Sequence, residues 1–426
     1  MSRSARWIWR AAAALLALTL LLGLLVAWLN VRGESDASVA SAPVPSPALV
    51  ERGAYLARAG NCVGCHTAIG GAPFAGGHGV ETPFGAVMAP NITPDLQTGI
   101  GSWTANDFWR AMHHGRSKDG RLLYPAFPYP SFTQVTREDS DALFVYLRSL
   151  PAVNKVNESH ALRFPYSSQA ALAVWRALFF KPVSFQPEPQ QSVEWNRGKY
   201  LVQGLGHCAA CHTGRNFLGG TGLNAEFGGG LMPDASWYAP SLASPAEGGV
   251  QQWTRQEVVR LLKTGLSAEA SVSGPMAEVV FASTQHLSER DLAAMADYLA
   301  TLPQHEPPAP GRSKPRMADE TLLQGARIYK EQCASCHGRQ GQGVAGIYPR
   351  LAGNRAVTLA SANNVVQIIR RGGFLPSTAG NPQPFGMPPF GQTLSDAETA
   401  AVASFIRQAW GNAGQPVSTL EVMRIR

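Results

Sequence analysis

Cys62-Val-Gly-Cys65-His66, Cys208-Ala-Ala-Cys211-His212 and Cys333-Ala-Ser-Cys336-His337 are three copies of one pattern, and they use all six cysteines of the chain. Two thiols at this spacing stand one helical turn apart, with a His directly after the second. That arrangement suits addition of both thiols to the vinyl groups of one haem, with the adjacent imidazole beneath the iron. Zinc asks for four ligands per site, and no second Cys/His pair stands at zinc-finger spacing. A disulfide framework is the ordinary reading of an even cysteine number in an exported chain. Here the spacing, repeated three times with a His after each pair, argues against it. The reading is three covalently bound haem c groups. Cys62, Cys65, Cys208, Cys211, Cys333 and Cys336 are the attachment points, and His66, His212 and His337 the proximal iron ligands.

Working outward from each motif, the same features recur in the same order. Ahead of it lies a short helical stretch with Gly and an aromatic: Gly53-Ala-Tyr55-Leu56, Gly198-Lys-Tyr200-Leu201 and Gly325-Ala-Arg-Ile328-Tyr329. Behind it, past a Gly-rich loop, comes Pro-x-Ile/Leu: Pro90-Asn-Ile92, Pro240-Ser-Leu242 and Pro349-Arg-Leu351. A middle helix follows. It starts at Trp103 and ends at Gly115, starts at Trp253 and ends at Gly265, then runs through Val365, Val366, Ile368 and Ile369 to Gly372. Each repeat closes on a capping-box-like start, Thr136-x-x-Asp139, Ser288-x-x-Asp291 or Ser395-x-x-Glu398, followed by apolar residues at helical spacing. Those apolar residues are read as core.

This order resembles the class I cytochrome c fold, three times over. The fold class expected is mainly α, with three tandem class I cytochrome c modules after one N-terminal transmembrane helix. The resemblance implies that the first and last helices of each module cross closely at the Gly. It also implies that the carbonyls of Pro90, Pro240 and Pro349 hold His66, His212 and His337. In that fold a Met beyond the middle helix binds the far side of the iron, so Met276 and Met387, both in Pro/Gly-bounded loops, are the expected distal ligands. The first module departs: Phe127, in Tyr124-Pro-Ala-Phe127-Pro-Tyr129, stands where the Met belongs, and Phe cannot bind iron. His113 is the leading candidate distal ligand there. His114, Met112, His78 and an open or water-bound iron are the others, and a solvated helix end is the competing reading of both histidines. Met88, two residues before Pro90, falls on the proximal side.

Arg3, Arg6 and Arg10 precede an apolar run from Ala11 to Leu29. Nineteen helical residues span roughly 28 Å, close to a bilayer core. Positive charge ahead of the run places everything after Asn30 outside the cytoplasm. The segment is an anchor or a signal; Ala40-Ser41-Ala42 has the small-residue pattern for cleavage but lies far beyond the run. The formal charge of +7 comes without any Lys/Arg run, and haem propionates would offset much of it, so nucleic acid is not indicated as a partner. Between the first two repeats, Ala170 to Phe180 is apolar nearly all round. It reads as a helix buried between modules, or one docked on the membrane or a partner.

The expected organisation is membrane anchor or signal 1–32, module one 48–152, linker with the apolar helix 153–191, module two 192–303, Pro-rich linker 304–318, module three 319–412 and C-terminal tail 413–426. Over 48–412 the chain resembles the three-haem cytochrome subunits of bacterial membrane-bound periplasmic dehydrogenases. Asn91-Ile-Thr-Pro-Asp95, then Thr98-Gly-Ile-Gly-Ser-Trp103 and Asp119-Gly120, carry the resemblance in the first module. It implies an electron-transfer subunit in the bacterial inner membrane, with its haem modules in the periplasm. A catalytic dehydrogenase subunit would supply the electrons. Membrane quinone, with ubiquinone the expected form, or the respiratory chain would receive them. The Phe127 version looks more like cytochrome subunits of molybdenum-containing aldehyde dehydrogenases or hydroxylases than those serving alcohol or gluconate. No flavin, nicotinamide or pterin motif is present, so no catalytic residue is assigned. The competing readings are a haem enzyme using an open first haem and a cytochrome component of a terminal oxidase.

Overall fold

A computed structural model describes residues 2–34, 43–221, 225–233, 236–268, 270–304 and 319–425. The Ala40-Ser41-Ala42 pattern and the Pro-rich linker from residue 305 lie outside the described residues. Among the described residues the fold is mainly helical, and its strands are short.

Helix α1 (Arg3–Val31) is the apolar run extended at both ends, capped by Ser2. It stands clear of the body, and Asn30 is its buried residue. After it, one helical plan is laid down three times. The first pass is α2 (Pro47–Ala59), α3 (Cys62–Cys65), α4 (Ala105–His114), α5 (Tyr129–Phe132) and α6 (Arg137–Ser149), with a hairpin of β1 (Gly79–Thr82) and β2 (Gly85–Met88) after the Cys turn. Strand β3 (Ala161–Leu162) pairs antiparallel with β2. So the opening of the expected linker lies against the first unit, and helix α7 (Gln169–Phe179) follows it.

The second pass is α8 (Val193–Lys199), α9 (Ala209–His212), a two-residue pairing of β4 (Gly230–Leu231) with β5 (Tyr238–Ala239), then α10 (Arg255–Thr264), α11 (Pro275–Ala282) and α12 (Glu289–Ala300). The third is α13 (Asp319–Gln332), α14 (Ala334–His337), α15 (Arg355–Thr358), α16 (Asn363–Arg371), β6 (Gly373–Phe374) paired with β7 (Gly386–Met387), α17 (Asp396–Gln408) and α18 (Thr419–Arg424). The stretch expected as a C-terminal tail is part of this unit: Val417, Val422 and Ile425 are buried in its core.

In each pass the first and last long helices cross at the glycine of the motif. A Cβ on Gly53 would lie 2.0 Å from the Ala142 carbonyl oxygen, one on Gly198 1.9 Å from that of Ala294, and one on Gly325 2.2 Å from that of Ala401. No other residue allows backbones so close. The last helices start where the sequence places them, with Thr136, Ser288 and Ser395 accepting from the backbone N–H of Asp139, Asp291 and Glu398. Only Ser395 and Glu398 close the full reciprocal box among these three. Asp139 and Asp291 are used elsewhere.

Asp139 accepts from Arg52 Nε (2.8 Å) of its own unit and from the Tyr200 hydroxyl (2.6 Å) of the second. Asp291 accepts from Arg197 (2.9 and 2.8 Å) of its own unit and from the Tyr55 hydroxyl (2.6 Å) of the first. The exchange is reciprocal: each Tyr of the Gly-x-Tyr motif crosses to the other unit's closing helix. The two units also share one apolar core, in which Leu56, Leu143 and Leu147 join Leu201, Leu205 and Leu292. The third unit has a separate core around Ile328, Val366, Val402 and Ile406. Its Tyr329 hydroxyl turns inward to the Gly338 carbonyl of the same unit (2.6 Å).

Candidate metal centres

Each Cys motif forms one helical turn closed by an i→i+4 bond. The N–H of His66 donates to the Cys62 carbonyl (3.0 Å), that of His212 to Cys208 (2.9 Å) and that of His337 to Cys333 (3.0 Å). The two thiols of a motif therefore stand a turn apart, half-buried, and all six are free of disulfides. Burial, with a neighbouring cysteine, pushes the Cys62 and Cys208 thiols up to about 12 and Cys333 up to about 11.

The three imidazoles are held alike. Nδ1 of His66 lies 2.8 Å from the Pro90 carbonyl oxygen, that of His212 2.7 Å from Pro240 and that of His337 2.9 Å from Pro349. A carbonyl only accepts, so Nδ1 carries the proton in each ring and Nε2 keeps its lone pair. Burial lowers the pKa of all three below the usual His range, against the opposing pull of the carbonyl, so the rings are neutral.

Different buried polar groups pin the loop carrying each carbonyl. Asn91 accepts from Thr93 N–H (2.9 Å) and donates to Thr98 Oγ1 (3.0 Å) and the Val153 carbonyl (2.8 Å). In the second unit the Glu247 carboxylate takes the Ser241 N–H (2.7 Å) and the Tyr238 hydroxyl (3.0 Å). In the third, Asn412 accepts from Gly353 N–H (2.8 Å) and donates to the Leu351 carbonyl (3.0 Å). Asn91 stands inside a motif the sequence makes visible. Glu247 and Asn412 carry no local signal, because most of their partners are backbone groups that spacing does not reveal.

The surroundings suit haem c. The first Cys of each motif, the Ile or Leu two residues past its Pro, and Phe127, Met276 or Met387 all pack on the apolar cluster of their unit. One expectation needs correcting. Met276 is not in a loop: it sits in the first turn of α11, because Pro275 at the first helical position pre-sets the helical backbone. Met387 lies in the short strand β7, paired to Gly373.

Around the first centre the distal candidates separate. His78 and Met88 flank the β1–β2 hairpin, where the His78 carbonyl takes the N–H of Ala89, next to Pro90. That is the His66 side. Met112 is a buried core residue of the shared cluster, and Phe127 packs against it. His113 and His114 end α4 and are both buried, which rules out a solvated helix end. His113 stacks on Trp109 with ring centres 4.4 Å apart, and Nδ1 of neither His has a hydrogen-bond partner. Burial first, then His114, lowers His113 to about 4; burial, then Arg176, Arg116 and Arg110, does the same to His114.

His207 is a residue that sequence reading misses. Its backbone is left-handed (φ 38°) directly before Cys208, and its Nε2 approaches the Gly60 carbonyl oxygen (3.3 Å), two residues before Cys62. Nearby, Ser283 Oγ donates to the Ala59 carbonyl (3.3 Å). The segments leading into the first two Cys turns are therefore in contact across the unit boundary.

The chain belongs to the cytochrome c family, whose model matches residues 50–151, 196–303 and 322–410. It is 38% identical over 405 residues to the cytochrome c subunit of alcohol dehydrogenase (quinone) from Komagataeibacter europaeus, covering 91% of this chain and 86% of that one. It is 37% identical over 387 residues to the gluconate 2-dehydrogenase cytochrome c subunit of Pantoea cypripedii, covering 87% and 88%. It is also 35% identical over 434 residues to the fructose dehydrogenase cytochrome subunit of Gluconobacter japonicus, covering 95% and 87%. Family membership implies covalently bound haem c. The relatives are cytochrome subunits of dehydrogenases, so electron transfer beside a catalytic dehydrogenase subunit is the role they support.

Proposed function

We propose that this chain is a three-haem electron-transfer subunit of three tandem class I cytochrome c modules, with boundaries at 48–152, 192–303 and 319–412. It is held at the periplasmic face of the inner membrane by α1 and passes electrons from a catalytic dehydrogenase subunit to membrane quinone or the respiratory chain. The observation that carries this reading is the threefold Cys-x-x-Cys-His turn with its imidazole Nδ1 on a Pro carbonyl.

Haem c, when bound, supplies a one-electron iron couple. The chain's own residues fix how that couple is held. Cys62 and Cys65, Cys208 and Cys211, and Cys333 and Cys336 would form the thioethers, while His66, His212 and His337 present Nε2. The Pro carbonyls orient those rings and raise their basicity. Met276 and Met387 would complete two centres, and a thioether ligand there favours a higher reduction potential. Phe127 offers no donor, and the buried neutral His113 would make the first centre a bis-His site of lower potential.

The direct test is haem content of the purified full-length chain. Three haems per chain are expected, falling to two in Cys208→Ser/Cys211→Ser; two or fewer in the unaltered chain would overturn the count. Met276→Ala and Met387→Ala should each keep three haems and lower one potential in a redox titration. His113→Ala should alter one low-spin signal. For the catalytic partner, the Pro-Ala-Phe127-Pro-Tyr segment favours a molybdenum-containing aldehyde dehydrogenase or hydroxylase over an alcohol or gluconate enzyme. Stoichiometric molybdenum in the complex extracted with mild detergent is the expected result, and a molybdenum-free partner would reverse that choice.

A further inference from the structure

Helix α7 divides its surface between the body and the outside. Leu172 and Arg176, one turn apart, face the body, while Val174 (48% exposed) and Leu178 (63%), also one turn apart, face out. Its inner edge is tied to the end of α1. Asn30 Nδ2 donates to the Ala173 carbonyl (2.9 Å), Arg176 Nε donates to Asn30 Oδ1 (2.9 Å), and Arg32 donates to the Phe180 carbonyl (3.1 Å). Arg116 fastens the same junction through Glu34 (2.8 Å) and the Asn30 carbonyl (3.0 Å).

Asn30 is the first residue past the apolar run. In a spanning α1 it marks the edge of the hydrocarbon layer. A helix whose mid-point carbonyl is bonded to Asn30 must lie at that edge, and Val174 is the very next residue after Ala173. The exposed patch continues beyond α7: the Trp175 indole N–H donates to the Leu218 carbonyl (2.9 Å), which places Phe217, 88% exposed, beside it. Trp28, on the last turn of the apolar run, is 60% exposed. Aromatic and aliphatic side chains gathered at this depth are the composition of a bilayer interface.

We propose that the outward face of α7, Val174 and Leu178 with Phe217, lies in the periplasmic leaflet of the bilayer, so that the body rests on the membrane rather than swinging from a tether. The occupant is phospholipid. The inference rests on α1 being retained as an anchor, and the experiment separates the two.

The full-length haem-loaded chain is reconstituted in vesicles of phosphatidylethanolamine and phosphatidylglycerol, with photoreactive benzoylphenylalanine replacing Leu178, Phe217 or, in α1, Leu21. All three positions are exposed, so none asks the core to adjust. Phospholipid adducts by mass spectrometry at all three sites are the expected result. Adducts at position 21, with none at 178 and 217 or with cross-links there to a protein subunit, would overturn the proposal and leave the anchor standing. No lipid adduct at position 21 would sink the anchor reading and the proposal with it.

Discussion

The first two units and the third are built on one plan, yet they meet their surroundings differently. The first two share an apolar core and exchange Tyr55 and Tyr200 onto each other's Asp291 and Asp139. The third has its own core and touches the second through a set of polar contacts, with Pro376 packed against Gly265 beside them. Arg355 donates to the Gly249 carbonyl (3.1 Å) and lies over Trp253. The Asn364 amide bonds both backbone groups of Tyr238 (2.9 and 2.8 Å). A large apolar interface with buried charge-assisted bonds couples two units into one folding body, whereas a polar one resembles a contact between separable domains. The difference lies in a few residues. The first two units have Arg-Gly-x-Tyr in the opening helix and Asp in the closing one, while the third has Gln324-Gly325, a Tyr (Tyr329) four positions after the Gly instead of two, and Glu398.

The glycine crossing is where the fused pair is most vulnerable. Gly198→Ala drives a methyl into the Ala294 carbonyl and should cost about 3 kcal/mol. Because the core is shared, hydrogen exchange should quicken in α2 and α6 as well as α8 and α12. Gly325→Ala should quicken α13 and α17 alone. Exchange confined to the second unit in Gly198→Ala would mean that the first two units are as separable as the third.

Asp291→Asn should cost the paired units about 2 kcal/mol by weakening the bonds from Arg197 and Tyr55. Burial alone would raise this carboxyl, but those hydrogen bonds and the Arg197 charge outweigh it and hold it below the usual range. The sign follows. The stabilisation is complete above an unfolded carboxyl pKa of about 4 and is lost as pH falls from there through the lower folded value. Acid unfolding monitored from about pH 5 to about pH 2 should show that component in the paired units and lose it in Asp291→Asn.

Tyr200→Phe removes the hydroxyl that donates to Asp139 and accepts from the Thr136 N–H, and should cost about 1 kcal/mol. Combined with Asp139→Asn the two losses should fall short of additive, as a double-mutant cycle measures directly. Smallest of all, Ser395→Ala opens the exposed cap of α17. It should cost roughly 0.5 kcal/mol in thermal unfolding of the third unit, without slowing or quickening exchange in the other two.

Much of this is legible in the chain. The Cys-x-x-Cys-His turns, the three glycine crossings, the caps at Thr136, Ser288 and Ser395 and the Pro carbonyls are local or near-local features, and local chemistry leaves a local signature. Asp139 and Asp291 show where that reading stops. Their spacing from Thr136 and Ser288 matches a capping box, but the other unit's Tyr hydroxyl comes between: it accepts from the Thr136 or Ser288 N–H and donates to the carboxylate, which a nearby Arg also holds. Met276 falls in a helix because Pro275 starts one, and α7 divides its faces between the body and the outside because Asn30 and Arg176 meet there.

The haem-attachment chemistry, the repeat and the apolar helix are all written in the chain, because each depends on residue type at fixed spacing along one segment. Which units fuse, which carboxylate serves which partner, and that α7 lies against the end of α1 emerge only on folding. Those outcomes depend on contacts between residues tens to hundreds of positions apart, and their energies are settled by burial, which no single segment possesses before the chain folds.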